Sequence, residues 1–291
     1  MHFAKHVFHN PMYPAVDIEV TRGCTHNKCA FCTMYQEEPF RVTPIEIFQE
    51  DLKELALYYP KVTKMQWLGG NPFALSADKL KERAALCYQQ FPELQHIGMF
   101  SCITDIMTKT DAELRELRAL NIELFIGQES GDDWTLNFVN KGFTSADILE
   151  QSARLDAAGF TYGATFLGGL APIEHSEDHA IHTAEVFNKL HPAWVGTGSL
   201  ALFPGSQMSK WRDEGKFVPL TELELMKELR LFLSILNIPC ALTAHHSSAL
   251  SIMGPFPKNK VQMLAKLDYA IEHYDEYADE MNWHRTHITH M

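Results

Sequence analysis

No stretch of the 291 residues approaches the roughly 20 continuous apolar residues a membrane helix needs, so no spanning helix is expected. Positive charge is scarce as well: 25 Lys and Arg stand against 37 Asp and Glu, a formal charge of −12. Phosphate contacts supply much of the affinity for tRNA or DNA, and the chain has no Lys/Arg cluster of useful length, so composition argues for a small substrate over a nucleic acid. The segment Met1 to Pro14 lacks an apolar core followed by a small-residue cleavage site, which excludes a typical secretory signal and sets a cytoplasmic expectation. Internal repeats, linkers and low-complexity tracts are missing too. One domain over residues 1–291 is therefore expected, with a core of about 14–236 and an extension over 237–291.

What is present is an alternation. Short apolar or β-branched runs at Ala15–Val20, Lys64–Leu68, His96–Ser101, Glu123–Gly127, Thr161–Leu167 and Ala193–Ala201 read as strands. Between and after them lie helical periods at Pro44–Tyr58, Ala77–Phe91, Asp111–Leu120, Ser145–Ala158, Ser176–Leu190 and Glu222–Leu236. Ser76, Thr110, Thr144 and Thr221 each stand where an N-cap belongs. Six β–α alternations imply parallel strands with helical crossovers, and the length favours an α/β fold built as a partial (β/α)6 TIM-like barrel. The C-terminal extension reads as an apolar run at Cys240–Ala244, a loop, and a helix from about Lys258 to Met281. The tail Trp283–Met291 holds three histidines and reads as a frayed polar end.

Cysteine is sparse, yet three of the six, Cys24, Cys29 and Cys32, crowd into nine residues. A cytosolic protein keeps thiols reduced, so the crowded set reads as metal-binding or catalytic. Cys87, Cys102 and Cys240 stand in apolar surroundings and read as small buried hydrophobes. The crowded loop begins where the first strand ends, the end of βα folds that carries active sites. A structural zinc site needs four ligands, and only His26, inside the tight loop, could complete one. A cubane is usually held by four thiolates, so three would leave one iron open to a chelating ligand.

The Cys-x4-Cys-x2-Cys loop, with the aromatic Phe31 before its last cysteine, resembles the radical SAM superfamily. Most members have three residues in the first gap where this chain has Thr25, His26, Asn27 and Lys28. The resemblance implies a [4Fe-4S] cluster on Cys24, Cys29 and Cys32, whose open iron binds S-adenosylmethionine. Reductive cleavage then yields a 5′-deoxyadenosyl radical, and the electron comes from a donor such as flavodoxin or ferredoxin. Gly69-Gly70-Asn71 resembles the Gly-Gly-Glu stretch that binds the methionine amino group, with Asn71 in place of the acid. Gly127-Gln128-Glu129-Ser130-Gly131 resembles the Gly-x-Glu-Ser-Gly element, which implies that Gln128, Glu129 and Ser130 hold methionine or ribose. Leu167 and Gly168 stand where the family's adenine-binding segment lies, although close packing of glycines explains the same residues. Leu200, Ala201 and Phe203-Pro204-Gly205 are further candidates to flank adenine.

Other residues must choose the substrate. His245, His246 and Ser247 form a polar cluster after the Cys240–Ala244 run, suited to a polyol or heteroaromatic ligand or equally to a capped turn. Tyr35, Gln66, Asn71, Asp105 and Gln128 add polar groups at strand ends. No cobalamin-binding region precedes the core and no later cysteine-rich extension follows, which argues against methylthiolation and leaves lyase, isomerase or hydrogen-abstraction chemistry. Within the superfamily the chain most resembles the queuine lyases of queuosine salvage, implying a nucleoside-like substrate, queuosine or its 5′-phosphate. The alternatives are another radical SAM reaction on a small metabolite, a tRNA-modifying radical SAM enzyme, and a non-enzymatic metal-cluster module.

Overall fold

The computed structural model describes residues 1–2, 13–245, 251–276 and 278, with His245 described in its backbone only. Ten strands occur among them: β1 (Val16–Glu19), β2 (Thr21–Arg22), β3 (Arg41–Val42), β4 (Lys64–Leu68), β5 (His96–Ser101), β6 (Ile122–Glu129), β7 (Thr161–Gly168), β8 (Trp194–Ser199), β9 (Cys240–His245) and β10 (Ser251–Phe256). Eight of them follow the order β1-β4-β5-β6-β7-β8-β9-β10, a mostly parallel sheet, and β2 and β3 form a separate two-stranded ribbon. The six strands expected from sequence all form, as β1 and β4 to β8.

The chain divides into two compact units. The first holds residues 1–27, 34–127 and 153–162, and the second holds 28–33, 128–152 and 163–291 so far as described. β6 itself changes unit between Gly127 and Gln128.

In the first unit, β1, β4, β5 and the body of β6 pair in parallel, with Ile18 opposite Trp67, Trp67 opposite Met99 and Met99 opposite Leu124. These four side chains share one face, and all are fully buried. Helices cover that face because it is apolar at every second position. Phe48 of the helix Ile45–Tyr58 meets Trp67 edge-on at 6.2 Å between ring centroids. The opposite face carries Asp17, Gln66, Gly98 and Glu123 in register. Gly98 has no room for a Cβ, because Tyr13 and Phe125 press against it, and those two rings meet edge-on at 4.9 Å.

In the second unit, β7, β8 and β9 continue the parallel pattern, and β10 closes antiparallel on β9. Phe166 stacks on Phe232 of the helix Glu222–Ile235 at 4.2 Å and an interplanar angle of 3°. Phe187 meets the same Phe232 edge-on. These contacts fix the helix-covered face as the one bearing Ala164, Phe166, Val195 and Leu242.

The four expected N-caps form. Ser76 accepts from Lys79 N–H, Thr110 from Glu113, Thr144 from Asp147 and Thr221 from Glu224. Thr110 and Thr221 complete capping boxes, with Glu113 and Glu224 reaching back to the cap N–H. The extension differs from expectation. The Cys240–Ala244 run becomes β9, a seventh parallel strand, and much of the expected loop becomes β10, ahead of the helix Lys260–Glu272. β10 contains Pro255, which a strand tolerates only at a sheet edge or bulge, and β10 is the edge. Four short helices, Ile103–Met107, Asp133–Phe138, Gln207–Asp213 and the 3-10 turn Pro72–Ala74, were too brief to show a period in sequence. Trp283–Met291 lies outside the described residues. No helix among the described residues is long and apolar enough to cross a membrane.

Candidate functional site

The chain turns sharply between the end of β1 and Cys24. Gly23 takes φ +70°, and a Cβ there would lie 2.5 Å from Glu38 O. The end of β4 closes on the same turn. Gly70 N–H donates to Gly23 O at 3.1 Å. A Cβ on Gly70 would lie 2.3 Å from Gly23 O and 2.9 Å from Cys24 Cα, and one on Gly69 would strike Thr21. The Gly-Gly pair is thus a contact surface, and only glycine lets the two backbones meet.

Asn71, the next residue, is fully buried, and its carboxamide is spoken for. Oδ1 accepts from Thr25 N–H at 3.1 Å, while Nδ2 donates to Thr25 Oγ1 and to both Asp105 oxygens at 2.8 and 2.9 Å. Asp105 Oδ2 also accepts from Cys102 N–H at 2.7 Å. Burial raises the Asp105 carboxyl, against the hydrogen bonds from Cys102 N–H, Asn71 and Thr25 and the charge of Lys109. Lys109 is itself lowered by burial. The sequence pointed to Asn71 and Asp105 as separate polar candidates, and the structure makes them one network supporting the residue after Cys24.

The Cys24 thiol is lowered to about 6, first by a hydrogen bond from Cys102, with help from the N–H groups of Asn27 and His26 and against burial and the Asp105 charge. Cys102 was expected to be a small buried hydrophobe. Instead it is partly exposed, and it is the first cause of the lowered Cys24 thiol. Only its position after β5 hinted at this, since no spacing rule joins residues so far apart in sequence. Cys87 keeps the expected character, fully buried with its thiol pushed up to about 12, whereas Cys240 on β9 departs from it, being only partly buried, though burial still raises its thiol to about 11. No cysteine is in a disulfide.

Cys29 and Cys32 belong to the second unit, and Cys32 N–H donates to Cys29 O at 3.2 Å. Between them Ala30 is pinned on both sides: its N–H donates to Val139 O at 2.9 Å and its O accepts from Met208 N–H at 2.9 Å. Phe31 packs on the apolar cluster of Ala30, Val139, Leu170, Leu200, Met208 and Phe217, with Lys141 Nζ 5.7 Å from its ring centroid. Tyr35 is buried in the first unit, and its carbonyl accepts from Asn27 Nδ2 at 2.7 Å.

At the end of β6, Glu129 takes φ +67°, a conformation a non-glycine residue adopts at a cost of roughly 1–3 kcal/mol. Gln128 is fully buried: Oε1 accepts from Thr165 N–H at 3.1 Å, while Nε2 has no partner among the described residues. Ser130 is turned into the structure. Its Oγ accepts from Asp132 N–H at 3.0 Å and lies 3.4 Å from Thr183 Oγ1. Asp132 caps the helix Asp133–Phe138 and binds His182 Nδ1 at 2.7 Å.

The β7 end is held by an acid. Glu228 Oε2 accepts from Gly169 N–H at 2.6 Å, Glu228 Oε1 pairs with buried His179 at 2.9 Å, and Gly168 O accepts from Leu200 N–H. A Cβ on Gly169 would lie 2.7 Å from Leu225, so close packing is part of the reason for glycine here. His245 ends β9, with its side chain outside the described residues, as are His246 and Ser247 entirely. Among the described residues no three His, Cys, Asp or Glu side chains converge on a point for a single metal ion.

No curated protein matches the chain. Among solved structures, methylornithine synthase (PylB) aligns at 17% identity and TM-score 0.55, covering 77% of this chain and 63% of that one. Coproporphyrinogen III oxidase (HemN) from Escherichia coli aligns at 17% and 0.55, covering 76% and 52%. The methyltransferase TsrM from Kitasatospora setae aligns at 17% and 0.54, covering 69% and 39%. The chain thus spans less than two thirds of each of these proteins, and at such identity the likeness shows the fold alone: an α/β fold with a mostly parallel sheet of the partial TIM-like barrel class. The profile of the radical SAM superfamily matches residues 18–186, more than half of the chain and all three clustered cysteines. The chain is therefore a member of the radical SAM superfamily, enzymes that use a [4Fe-4S] cluster and S-adenosylmethionine.

Proposed function

We propose that the chain is a single-domain radical SAM lyase that releases queuine from queuosine or queuosine 5′-phosphate, with its cluster on Cys24, Cys29 and Cys32. What carries the cofactor part of this reading is the backbone contact of Gly70 with Gly23 and Cys24. It puts a glycine pair with close-approach geometry directly against the first cysteine. The donor set fits an iron–sulfur group. It consists of three thiols outside any disulfide, and Cys24 is lowered far enough to be largely thiolate at neutral pH, the form that binds metal. When bound, the cluster and S-adenosylmethionine supply a 5′-deoxyadenosyl radical for hydrogen abstraction.

The chain's own residues bind and orient. Gly69 and Gly70 offer backbone groups to the methionine end, while Asn71 acts indirectly by fixing Thr25 beside Cys24. Glu129 is held in a strained conformation that presents a carboxylate at a strand end. Gln128 Nε2 has a donor to give, and Ser130 anchors the turn that carries both. Phe31, Leu167 and Gly168 supply apolar and backbone surface for the adenosyl part. His245, His246, Ser247 and Tyr35 belong to the substrate side. The substrate assignment rests on the resemblance to queuine lyases and on an acidic chain suited to a nucleoside better than to a polyanion.

The test is anaerobic reconstitution of wild type and Cys29→Ala, followed by incubation with dithionite, S-adenosylmethionine and queuosine or its 5′-phosphate. Wild type is expected to hold iron and sulfide, and to yield 5′-deoxyadenosine and free queuine, and Cys29→Ala to lose all four. Formation of 5′-deoxyadenosine without queuine rejects the substrate and keeps the chemistry. Wild type that binds only zinc, or no metal, overturns the reading.

A further inference from the structure

β7 ends at Gly168, and the chain leaves the sheet at once, because Gly169 takes φ +76°. The N–H of Gly169 has then left the strand ladder, and in a buried turn it needs an acceptor from elsewhere. The helix Glu222–Ile235 supplies one: Glu228 Oε2 accepts from Gly169 N–H at 2.6 Å. Leu225 stands three residues earlier, on the same helix face. A Cβ on Gly169 would lie 2.7 Å from Leu225 Cδ2, and one on Gly168 would lie 3.0 Å from Glu228 Oε2. One helix face thus both packs on the turn and bonds it. The second carboxyl oxygen is held as well. His179 Nδ1 lies 2.9 Å from Glu228 Oε1, and the His179 ring stacks on Phe166 of β7 at 5.0 Å. Gly168 O accepts from Leu200 N–H at 2.8 Å. All of these residues lie in the second unit, and Glu228 and His179 are buried.

We propose that Glu228, held by His179, is a positioning residue for S-adenosylmethionine, fixing the turn at Gly168 and Gly169 that receives the adenosyl half. This rests on the reading that places Gly168 in the cofactor site. A carboxyl group is a costly filling for a packed interior, and an apolar side chain of similar volume is often as stabilising or more so. What an apolar side chain cannot do is set the direction of a backbone N–H, and Glu228 does this for Gly169. With that N–H committed inward and Gly168 O committed to Leu200, the turn is held in one arrangement. Its remaining surface meets the ligand without first having to be ordered, which favours binding. Glu228 acts through Gly169 and not by touching the ligand. The sulfonium bond that is cleaved lies outside this turn, so the pair governs how tightly the cofactor is held and not how fast the bound cofactor reacts.

The experiment uses the full chain, reconstituted anaerobically, as wild type, Glu228→Met, Glu228→Gln and His179→Phe. Calorimetry gives the affinity for S-adenosylmethionine and the number of sites per chain. Dithionite-driven formation of 5′-deoxyadenosine gives KM and kcat for the cofactor. Glu228→Met keeps the volume and removes the acceptor. It is expected to bind S-adenosylmethionine about tenfold more weakly, with KM raised alike and with kcat and the number of sites unchanged. Glu228→Gln keeps an acceptor oxygen for Gly169 N–H and is expected within about twofold of wild type. His179→Phe keeps the ring stack and releases Glu228 Oε1. It is expected to fall between the two, and it decides the outcome should Glu228→Met fail to fold. Unchanged affinity in Glu228→Met, or in His179→Phe where that variant decides, overturns the proposal while leaving the cofactor reading intact. Fewer sites and a lower kcat at unchanged affinity also overturn it, because the pair would then serve folding alone. If wild type binds no S-adenosylmethionine, the proposed function fails and this inference falls with it.

Discussion

The amide nitrogen of Asn71 lies 2.8 Å from one oxygen of Asp105 and 2.9 Å from the other, one N–H shared between the two while the second faces Thr25 Oγ1, and both Asn71 and Asp105 are buried. Replacing Asn71 by Ala leaves a buried carboxylate short of a donor, which costs about 1–3 kcal/mol. Asn71→Asp sets two buried carboxyls against each other, so one must stay protonated in the folded state. A carboxyl raised on folding adds stability that is lost as pH climbs above its unfolded value. Urea melts should therefore show deficits that grow from about pH 5 to about pH 8 in both variants, since Asn71→Ala also removes a bond that holds the Asp105 carboxyl down, and the growth should be steeper for Asn71→Asp. A flat Asn71→Asp profile would show that the two groups do not share this site.

Gly70→Ala forces a methyl group into the carbonyl of Gly23 and the Cα of Cys24. The clash is with backbone, which yields less readily than a side-chain tip. A loss of about 1–3 kcal/mol is expected, as for overpacked cores. A drop in reconstituted iron should accompany it, because the displaced atoms carry the first cysteine. Thermal melts and iron assays on Gly70→Ala, whose φ lies outside the left-handed region, with Gly215→Ala as a control at φ +70° whose Cβ would meet nothing within 4 Å, separate a steric clash from backbone strain.

Glu129→Gly removes the side chain from a left-handed residue and with it the conformational penalty. The flexibility of glycine in the unfolded chain offsets part of that gain. Stability should be unchanged or raised by up to about 1 kcal/mol, whereas Glu129→Ala keeps the strain and gains nothing. Calorimetric binding of S-adenosylmethionine to the reconstituted protein should weaken in both. Tight binding by Glu129→Gly would remove this carboxylate from the cofactor site.

His182 is half-exposed and hydrogen-bonded to Asp132, which raises its imidazole above the usual value, with further support from Asp178 and Glu185 and against partial burial. Asp132 is lowered, because the bonds from Thr135 and His182 outweigh its burial. The raised imidazole stabilises the fold fully below the unfolded value of about 6.5, and the contribution disappears as pH rises through the folded value. Asp132 remains ionised throughout that window. The Tm deficit of His182→Gln should accordingly be larger at about pH 6 than at about pH 9, and equal deficits would exclude the ion pair as its source.

Much of this was legible in the chain because local rules govern it. The strand Lys64–Leu68 and the helix Ser145–Ala158 form with the bounds expected, since long periodic segments report their burial directly. The threonine and serine caps were legible for the same reason. β10 was not, because Gly254-Pro255-Phe256-Pro257 carries the composition of a turn and pairs only through its place at the sheet edge. Within the site, the three clustered cysteines and the glycine pair announced themselves by spacing. The Asn71–Asp105 pairing and the inward commitment of Ser130 depend on contacts across elements, which no local pattern encodes.

Pro255 carries a further meaning. It occupies the outermost strand, where a run of unpaired N–H groups would otherwise invite a second chain to add itself. A residue with no N–H interrupts that template, and the strand ends one residue later at Phe256. The same proline that disguises β10 in the sequence makes the margin of the sheet a poor seed for polymerisation, so solubility at high concentration should depend on Pro255.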